Sequence, residues 1–339
     1  MKEGLHIATL KDIADKANVS ITTVSNVVNG KYEKVSPACR ARVEALLEKH
    51  NYVPNQYARD LSSKDRHIVA IIIQSDHMEN ALADAYTGEF VGEAAMRLQD
   101  NGYDPMIRLT SDFADINRIL RKWKTAGVIF TGTYDKHIRE VSEDTDIPFI
   151  FTDSYSSSRR INNVGIDDYK GGALAAEHLH TLGHRRIAFV APGLYISEVD
   201  EQRRLGFAET LLKKGAVIQD ELFIRSTENP AEIAETLINL SEPATAVFVT
   251  ADRIAVQLIG ALKSLKKSIP GDFSIVGFDN ISIGQYTDPA LTTIAQDIAQ
   301  KAKLAVDILT RHIRNPSAPM ENSLMDVKLI VRDSTRRLI

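Results

Sequence analysis

Along the first fifty positions, apolar residues recur at three- and four-residue spacing in short stretches, each broken by small polar residues. Thr9 is placed to cap a helix, with Asp12 three residues on, where an acidic group favours the first turn; Ile13, Ala14 and Ala17 then share one face. Asn18-Val19-Ser20 interrupts that pattern. Ser20 caps a second helix carrying Val24, Val27 and Val28, which stops near Asn29-Gly30. Ser36-Pro37 opens a third, with Val43, Leu46 and Leu47 toward the core and Asn51 at its end. Pro54-Asn55 starts a segment running to Ser63 with Tyr57, Ala58 and Leu61 as its main apolar residues, too short for a stable isolated helix. Ser62-Ser63-Lys64-Asp65 reads as a linker.

From Ile68 the texture changes. Short apolar runs, Ile68–Ile73, Ala126–Phe130, Pro148–Phe151, Arg186–Val190, Ala246–Val249 and Ser274–Phe278, alternate with amphipathic stretches such as Gly88–Gln99, Gly171–Leu182, Gln202–Lys213 and Ile254–Lys266. Strands alternating with helices predict parallel sheets covered on both faces, and this much chain predicts two α/β lobes. The expected organisation is a small all-α headpiece over residues 1–54, a hinge over 55–66, and a two-lobed α/β domain over 67–339.

Composition narrows the function. A chain of 339 residues with 44% hydrophobic positions builds a large core without disulfide or metal staples, and its single cysteine, Cys39, makes neither alone. No run of about 18 apolar residues predicts a membrane span, and Met1 to Leu10 lacks the apolar stretch of a signal peptide, so a reduced cytoplasmic setting is expected. The net charge of −4 is uneven: residues 1–66 hold 11 Lys+Arg and 8 Asp+Glu, the remainder 30 and 37. A basic head on an acidic body fits a polyanion at one end, although +3 decides nothing alone.

The second helix presents Ile21-Thr22-Thr23-Val24-Ser25-Asn26, short polar groups of the kind a recognition helix carries into the major groove. Thr22 and Asn26 share a face; asparagine pairs bidentately with adenine, and Ile21 suits a thymine methyl. Thr9, Ser20, Thr23, Ser25, Asn29 and Ser36 suit phosphate oxygens; the plainer alternative is that they only cap helices and form turns.

The ordered run Thr9-Leu10-Lys11-Asp12-Ile13-Ala14, Ala17, Val19-Ser20, Thr23-Val24-Ser25 and Val27-Val28-Asn29-Gly30, continuing through Val35-Ser36, Arg42-Val43, Leu46 and Asn51-Tyr52-Val53-Pro54-Asn55, resembles the headpiece of the LacI/GalR family of bacterial repressors. The resemblance implies that Ile21, Thr22 and Asn26 read bases. It also implies that Asn55 to Leu61 folds into a hinge helix on DNA, with Asn55 and Ala58 on it and Leu61 wedged into the minor groove; a linker leucine resting on the core is the alternative. Arg59 and Asp60 depart from the family's hinge.

The resemblance extends to the chain's end through Asp167–Gly172, Glu177-His178-Leu179, Leu182–Ile187, Arg203–Phe207, Ser274–Asp279, Pro289–Ile294 and Leu329–Thr335, and through the family to periplasmic sugar-binding proteins. It implies three crossover strands and an effector cleft lined by Asp153, Ile166, Arg203, Asp279 and Gln296, where carboxylate and guanidinium groups form paired bonds to sugar hydroxyls. An ion pair between the lobes is the alternative for Arg203 and Asp279. Asp168 and Asp252 read as helix caps, and Tyr195 as a stacking or core residue. Where the family has Asn-Asp after the strand Ala246–Thr250, this chain has Ala251-Asp252, which removes a ligand contact.

Nothing points to catalysis: there is no Gly-x-Ser-x-Gly elbow and no phosphate loop, and His178 and His180, two apart, do not share a helical face for a metal. The expected protein is a homodimeric repressor of a pseudo-palindromic double-stranded operator, with a carbohydrate-like effector, no cofactor, no metal and no membrane. A regulator answering to a protein corepressor is the alternative within the family; a solute-binding protein is the alternative outside it. No leucine-heptad tail follows Thr335, so a tetramer is not expected.

Overall fold

A computed structural model describes residues 8–52, 66–74, 81–114, 116–132, 146–154, 161–192, 197–216, 219–226 and 229–338. The chain divides into two compact units, Met1–Asp65 and Arg66–Ile339.

In the first unit three helices, α1 (Leu10–Ala17), α2 (Ile21–Val28) and α3 (Pro37–Lys49), enclose Ile13, Ala14, Ala17, Val24, Val27 and Val43. Each begins on a side-chain cap. Thr9 accepts from the Asp12 N–H while the Asp12 carboxylate takes the Thr9 N–H at 2.8 Å, a reciprocal capping box. Ser20 accepts from the Thr23 N–H at 3.1 Å, and Ser36 from the Cys39 N–H, with Pro37 in the first turn where its missing N–H costs nothing. The chain turns from α1 to α2 through Asn18, whose φ of 51° is tolerated by asparagine.

The second unit holds two six-stranded sheets. The first comprises β1 (Ile68–Gln74), β2 (Asp104–Thr110), β3 (Gly127–Thr131), β4 (Phe149–Thr152), β5 (Asn163–Ile166) and β11 (Asn322–Met325). Its order is β11-β5-β4-β3-β1-β2 and every pairing is parallel. The second comprises β6 (Ile187–Pro192), β7 (Phe223–Ser226), β8 (Ala246–Val249), β9 (Ser274–Asp279), β10 (Thr292–Ala295) and β12 (Lys328–Ile330), in the order β12-β10-β9-β8-β6-β7, with only β12 antiparallel.

Strand alternation puts two cores on the first sheet. Val69, Ile71 and Ile73 face α4 (Ala85–Asp100) and α10 (Ile298–Arg314), while Ala70 and Ile72 face α5 (Ile116–Lys122). On the second sheet α6 (Asp168–Thr181) and α7 (Glu198–Lys213) cover one face, and α8 (Pro230–Ile238) and α9 (Asp252–Ser264) the other. The chain crosses between sheets three times: from Ile166 into α6, from Ala295 into α10, and from Met325 to Lys328.

Two glycines set the spacing of α6 and α7. A Cβ at Gly172 would meet the Arg203 carbonyl oxygen at 1.9 Å, and one at Gly206 would meet the Tyr169 carbonyl oxygen at 1.9 Å. Both obstacles are backbone, so only glycine permits this approach, and it brings Arg203 of α7 against Asp168 of α6.

Candidate functional site

Two polar surfaces stand out. On the headpiece, Ile21 is 49% exposed, Thr22 is exposed and Asn26 half-buried. Among the described residues the Thr22 and Asn26 side chains make no hydrogen bond, so both offer their full donor and acceptor capacity outward from the N-terminal part of α2. The neighbouring hydroxyls and amides behave differently. Thr9, Ser20 and Ser36 are caps, Thr23 Oγ1 lies 2.9 Å from Ser20 Oγ, and Asn29 donates to Ser25 Oγ at 3.1 Å. Thr9, Ser20 and Ser36 therefore serve as helix caps, while Thr23, Ser25 and Asn29 bond to neighbouring side chains at the ends of α2. Asn55, Ala58 and Leu61 lie outside the described residues.

In the second unit a cavity of about 330 Å³ opens between the two sheets. Tyr86, Thr131 and Asp153 line it from the first lobe, Arg203 and Asp279 from the second, and Gln296 from a crossover segment. Asp153, Asp279 and Gln296 follow or end parallel strands, where α/β folds place their ligand sites. The backbone there is held in sparsely populated conformations: φ is 56° at Asp153, 108° at Asp279 and 60° at Asn280. Such outliers persist where surrounding structure over-determines them, commonly at functional sites.

Arg203 is buried; its Nε donates to Asp168 at 2.7 Å, its Nη1 to the Thr250 carbonyl at 2.5 Å, and its guanidinium carbon lies 3.5 Å from the centre of the Phe278 ring. Both partners of this ion pair lie on the second lobe, so it is not a bond between lobes. Gln296 Nε2 donates to Asp279 Oδ1 at 2.6 Å. Burial pushes the Asp279 carboxyl up to about 7, against the pull of Arg203, Gln296 and Lys301. Beneath it Asp252, fully buried, accepts from Thr293 Oγ1 at 2.7 Å and the Ile281 N–H at 3.0 Å; burial and the neighbouring Asp279 push it up to about 8.

On the opposite wall Lys301, with no exposed surface, donates to both Asp153 oxygens at 2.7 and 2.8 Å and to the Tyr86 hydroxyl at 3.1 Å, while Tyr86 donates to Asp153 at 2.9 Å. Burial, then Asp153, raises the Tyr86 phenol well above its ordinary value, so it stays a hydrogen-bond donor.

The cavity thus gathers Asp153, Arg203, Asp279 and Gln296. Ile166 is not among its lining residues: at 0% exposure it packs in the core with Phe278 and Ile294, because its side chain points into the second lobe's interior at the crossover. Asp168 and Asp252 are not the helix caps the sequence suggests. Asp167 caps α6 and Ala251 precedes α9, which leaves Asp168 free to pair with Arg203 and Asp252 to anchor the loop after β9. Tyr195 lies outside the described residues. Sequence reading missed Tyr86 and Lys301. For Lys301 a signal existed: it sits three residues after Ile298 and four before Ala305, on the apolar stripe of α10 where a solvated lysine does not belong. His178 and His184 hold the C-terminal segment, His178 to the Thr335 hydroxyl and His184 to Thr245 and the Arg336 carbonyl.

Among known proteins, residues 9–55 match the family of bacterial regulatory proteins of the lacI type, and residues 176–335 match the periplasmic binding protein-like domain. The chain is 27% identical over 341 residues to the probable HTH-type transcriptional repressor ExuR of Bacillus subtilis, covering 98% of this chain and 99% of that protein. The lac repressor dimer bound to operator and the anti-inducer ONPF superposes with a TM-score of 0.81 at 27% identity, over 97% of this chain and 99% of the other. A LacI family regulator from Enterococcus faecium with bound ribose gives 0.69 at 27% identity, over 80% and 100%. Among the described residues no helix is long and apolar enough to cross a membrane. With a lacI-type helix-turn-helix headpiece, a periplasmic-binding-protein-like domain and repressors as full-length relatives, this chain belongs to the LacI/GalR family of DNA-binding transcription regulators.

Proposed function

We propose that the protein represses transcription as a homodimer on a pseudo-palindromic operator, and that a small sugar-like effector in the cleft sets its affinity for DNA. The carrying observation is the convergence of Asp153 from one lobe with Arg203 and Asp279 from the other on one cavity of about 330 Å³. A ligand that bonds to both walls binds one lobe arrangement better than others and so shifts the equilibrium between them. The ribose in the Enterococcus faecium relative and the operator in the lac repressor complex support the two halves of the reading.

On DNA, Ile21, Thr22 and Asn26 contact bases, the capped helix ends and Thr23, Ser25 and Asn29 contact phosphates, and Asn55, Ala58 and Leu61 form the hinge with Leu61 in the minor groove. Gln296 belongs with Asp153, Arg203 and Asp279 in the effector site. Dimerisation is supported by apolar side chains left at the surface: Met96 on α4 with Ile107 and Leu109 on the edge strand β2, and Leu265, Ile283 and Tyr286 on the second lobe.

Footprinting of the DNA upstream of its own gene tests the proposal. Two protected half-sites about one helical turn apart are expected, with the protection altered by one member of a sugar panel. Protection of no discrete site would refute it.

A further inference from the structure

Helix α4 of the first lobe and helix α9 of the second begin beside one another at the edge of the cleft. Asp84 caps α4: its Oδ1 accepts from the Thr87 N–H at 2.9 Å and from the Thr87 hydroxyl at 3.1 Å. That fixes the carboxylate and leaves Oδ2 for Arg253, whose Nε lies 3.4 Å away. Arg253 is the second residue of α9, where the positive end of the helix dipole disfavours a cation. Its own helix therefore does not account for it; the carboxylate opposite does. The Asp84 and Arg253 side chains are 14% and 29% exposed, so water and salt screen this pair less than a fully solvated one.

This pair joins the lobes directly. Arg203–Asp168 lies wholly within the second lobe and Lys301–Asp153 wholly within the first, so each travels with its lobe. Gln296–Asp279 and Lys170–Asp326 tie the second lobe to the crossover segments, on which any lobe motion pivots. Rotation of one lobe against the other therefore changes the Asp84–Arg253 distance and leaves the pairs within each lobe intact. The pair also borders the cavity. Tyr86 and Thr87, just after Asp84, line it, and Asp252, just before Arg253, lies beneath Asp279, whose carboxyl feels the Asp84 charge.

We propose that Asp84 and Arg253 form a latch across the cleft, holding the two lobes at their present angle and so setting the equilibrium between lobe arrangements. Removing either charge shifts that equilibrium by the free energy of the pair, without touching the walls on which a ligand would bind. The latch stands on the geometry alone; its effect on DNA rests on the reading of the protein as a regulator whose lobe angle governs its grip on the operator.

The test is amide hydrogen exchange on the full-length protein and three variants: Asp84→Asn, Arg253→Gln and the two together. Asparagine caps a helix as well as aspartate does, so Asp84→Asn removes the charge and keeps the start of α4. Each single variant should speed exchange about two- to fivefold in the crossover stretches 295–298 and 325–328, the range a partly exposed pair supplies. The double variant should do no more than either single one, because both remove the same interaction, and the urea midpoint of the second unit should stay that of the unaltered protein. Additive effects, faster exchange confined to the first turn of α4, or no change in the crossovers would each overturn the latch. Affinity for the DNA upstream of the gene should shift by one common factor in all three variants. Unchanged affinity alongside the non-additive exchange would support the latch and count against the reading that lobe angle governs DNA binding.

Discussion

The face of α2 proposed to read DNA and the cleft of the second unit use polar groups in opposite ways. On α2, Thr22 and Asn26 are held by the helix backbone alone and bond to nothing else among the described residues. In the cleft, Arg203 is bonded to Asp168, Gln296 to Asp279 and Lys301 to Asp153, with Arg203, Asp168, Gln296 and Lys301 buried and Asp153 and Asp279 half-buried. The difference follows from the partner. DNA brings its own fixed array of donors and acceptors, and water fills in until it arrives, so a reading surface costs little to leave unpaired. A small ligand must be enclosed, and enclosure strips water from every group around it; each must then be satisfied by protein or pay a desolvation cost. A change on α2 should therefore alter recognition and leave stability intact, while a change in the cleft should alter both.

Arg203→Ala should break this symmetry most strongly. It removes the 2.7 Å ion pair that Arg203 makes with the buried Asp168, a loss of about 3–5 kcal/mol. Trp123, the only tryptophan, lies in the second unit and reports its unfolding in urea. A midpoint close to that of the unaltered protein would contradict the buried pair.

Asp279 sharpens the same point through pH. Its carboxyl titrates at about 7 rather than its ordinary 3.8, so the folded state binds its proton more tightly than the unfolded chain. This group's contribution to stability is complete below about pH 4 and declines as pH rises through about 7. Asp279→Asn keeps an oxygen for Gln296 and removes the titration. Its stability relative to the unaltered protein should rise between pH 5 and pH 8, and a pH-independent difference would show that Asp279 is not buried as described.

The smallest effect is expected at Ser20→Ala, which removes the α2 cap at a cost of about 1 kcal/mol. This should lower headpiece helicity and DNA affinity while leaving ligand binding in the cleft untouched.

The sequence made the headpiece legible because caps and period define short helices locally: Thr9, Ser20 and Ser36 each begin the expected element. The apolar runs located β1, β3, β4, β6, β8 and β9, which are buried strands. They did not reveal β2, an edge strand with Ile107 and Leu109 exposed, or the short crossover strands, whose character comes from sheet pairing. In the cleft, Arg203, Asp279, Gln296 and Asp153 came from resemblance rather than from pattern. Ile166 was carried over by the same route into what the structure places as core. Lys301 and Asp153 are 148 residues apart, so their bond is a product of α10 returning to the first sheet, which no local period encodes.

The central claim is that the α2 face reads bases while the rest of the headpiece only holds it in place. It is tested most directly by titrating the full-length protein and its Asn26→Ala variant against the promoter fragment and an unrelated duplex at one fixed salt concentration. The account predicts that the variant loses about 1–3 kcal/mol of discrimination at one base pair of the promoter, with unchanged affinity for the unrelated duplex and unchanged unfolding. Equal losses on both duplexes, or no loss on either, would contradict it.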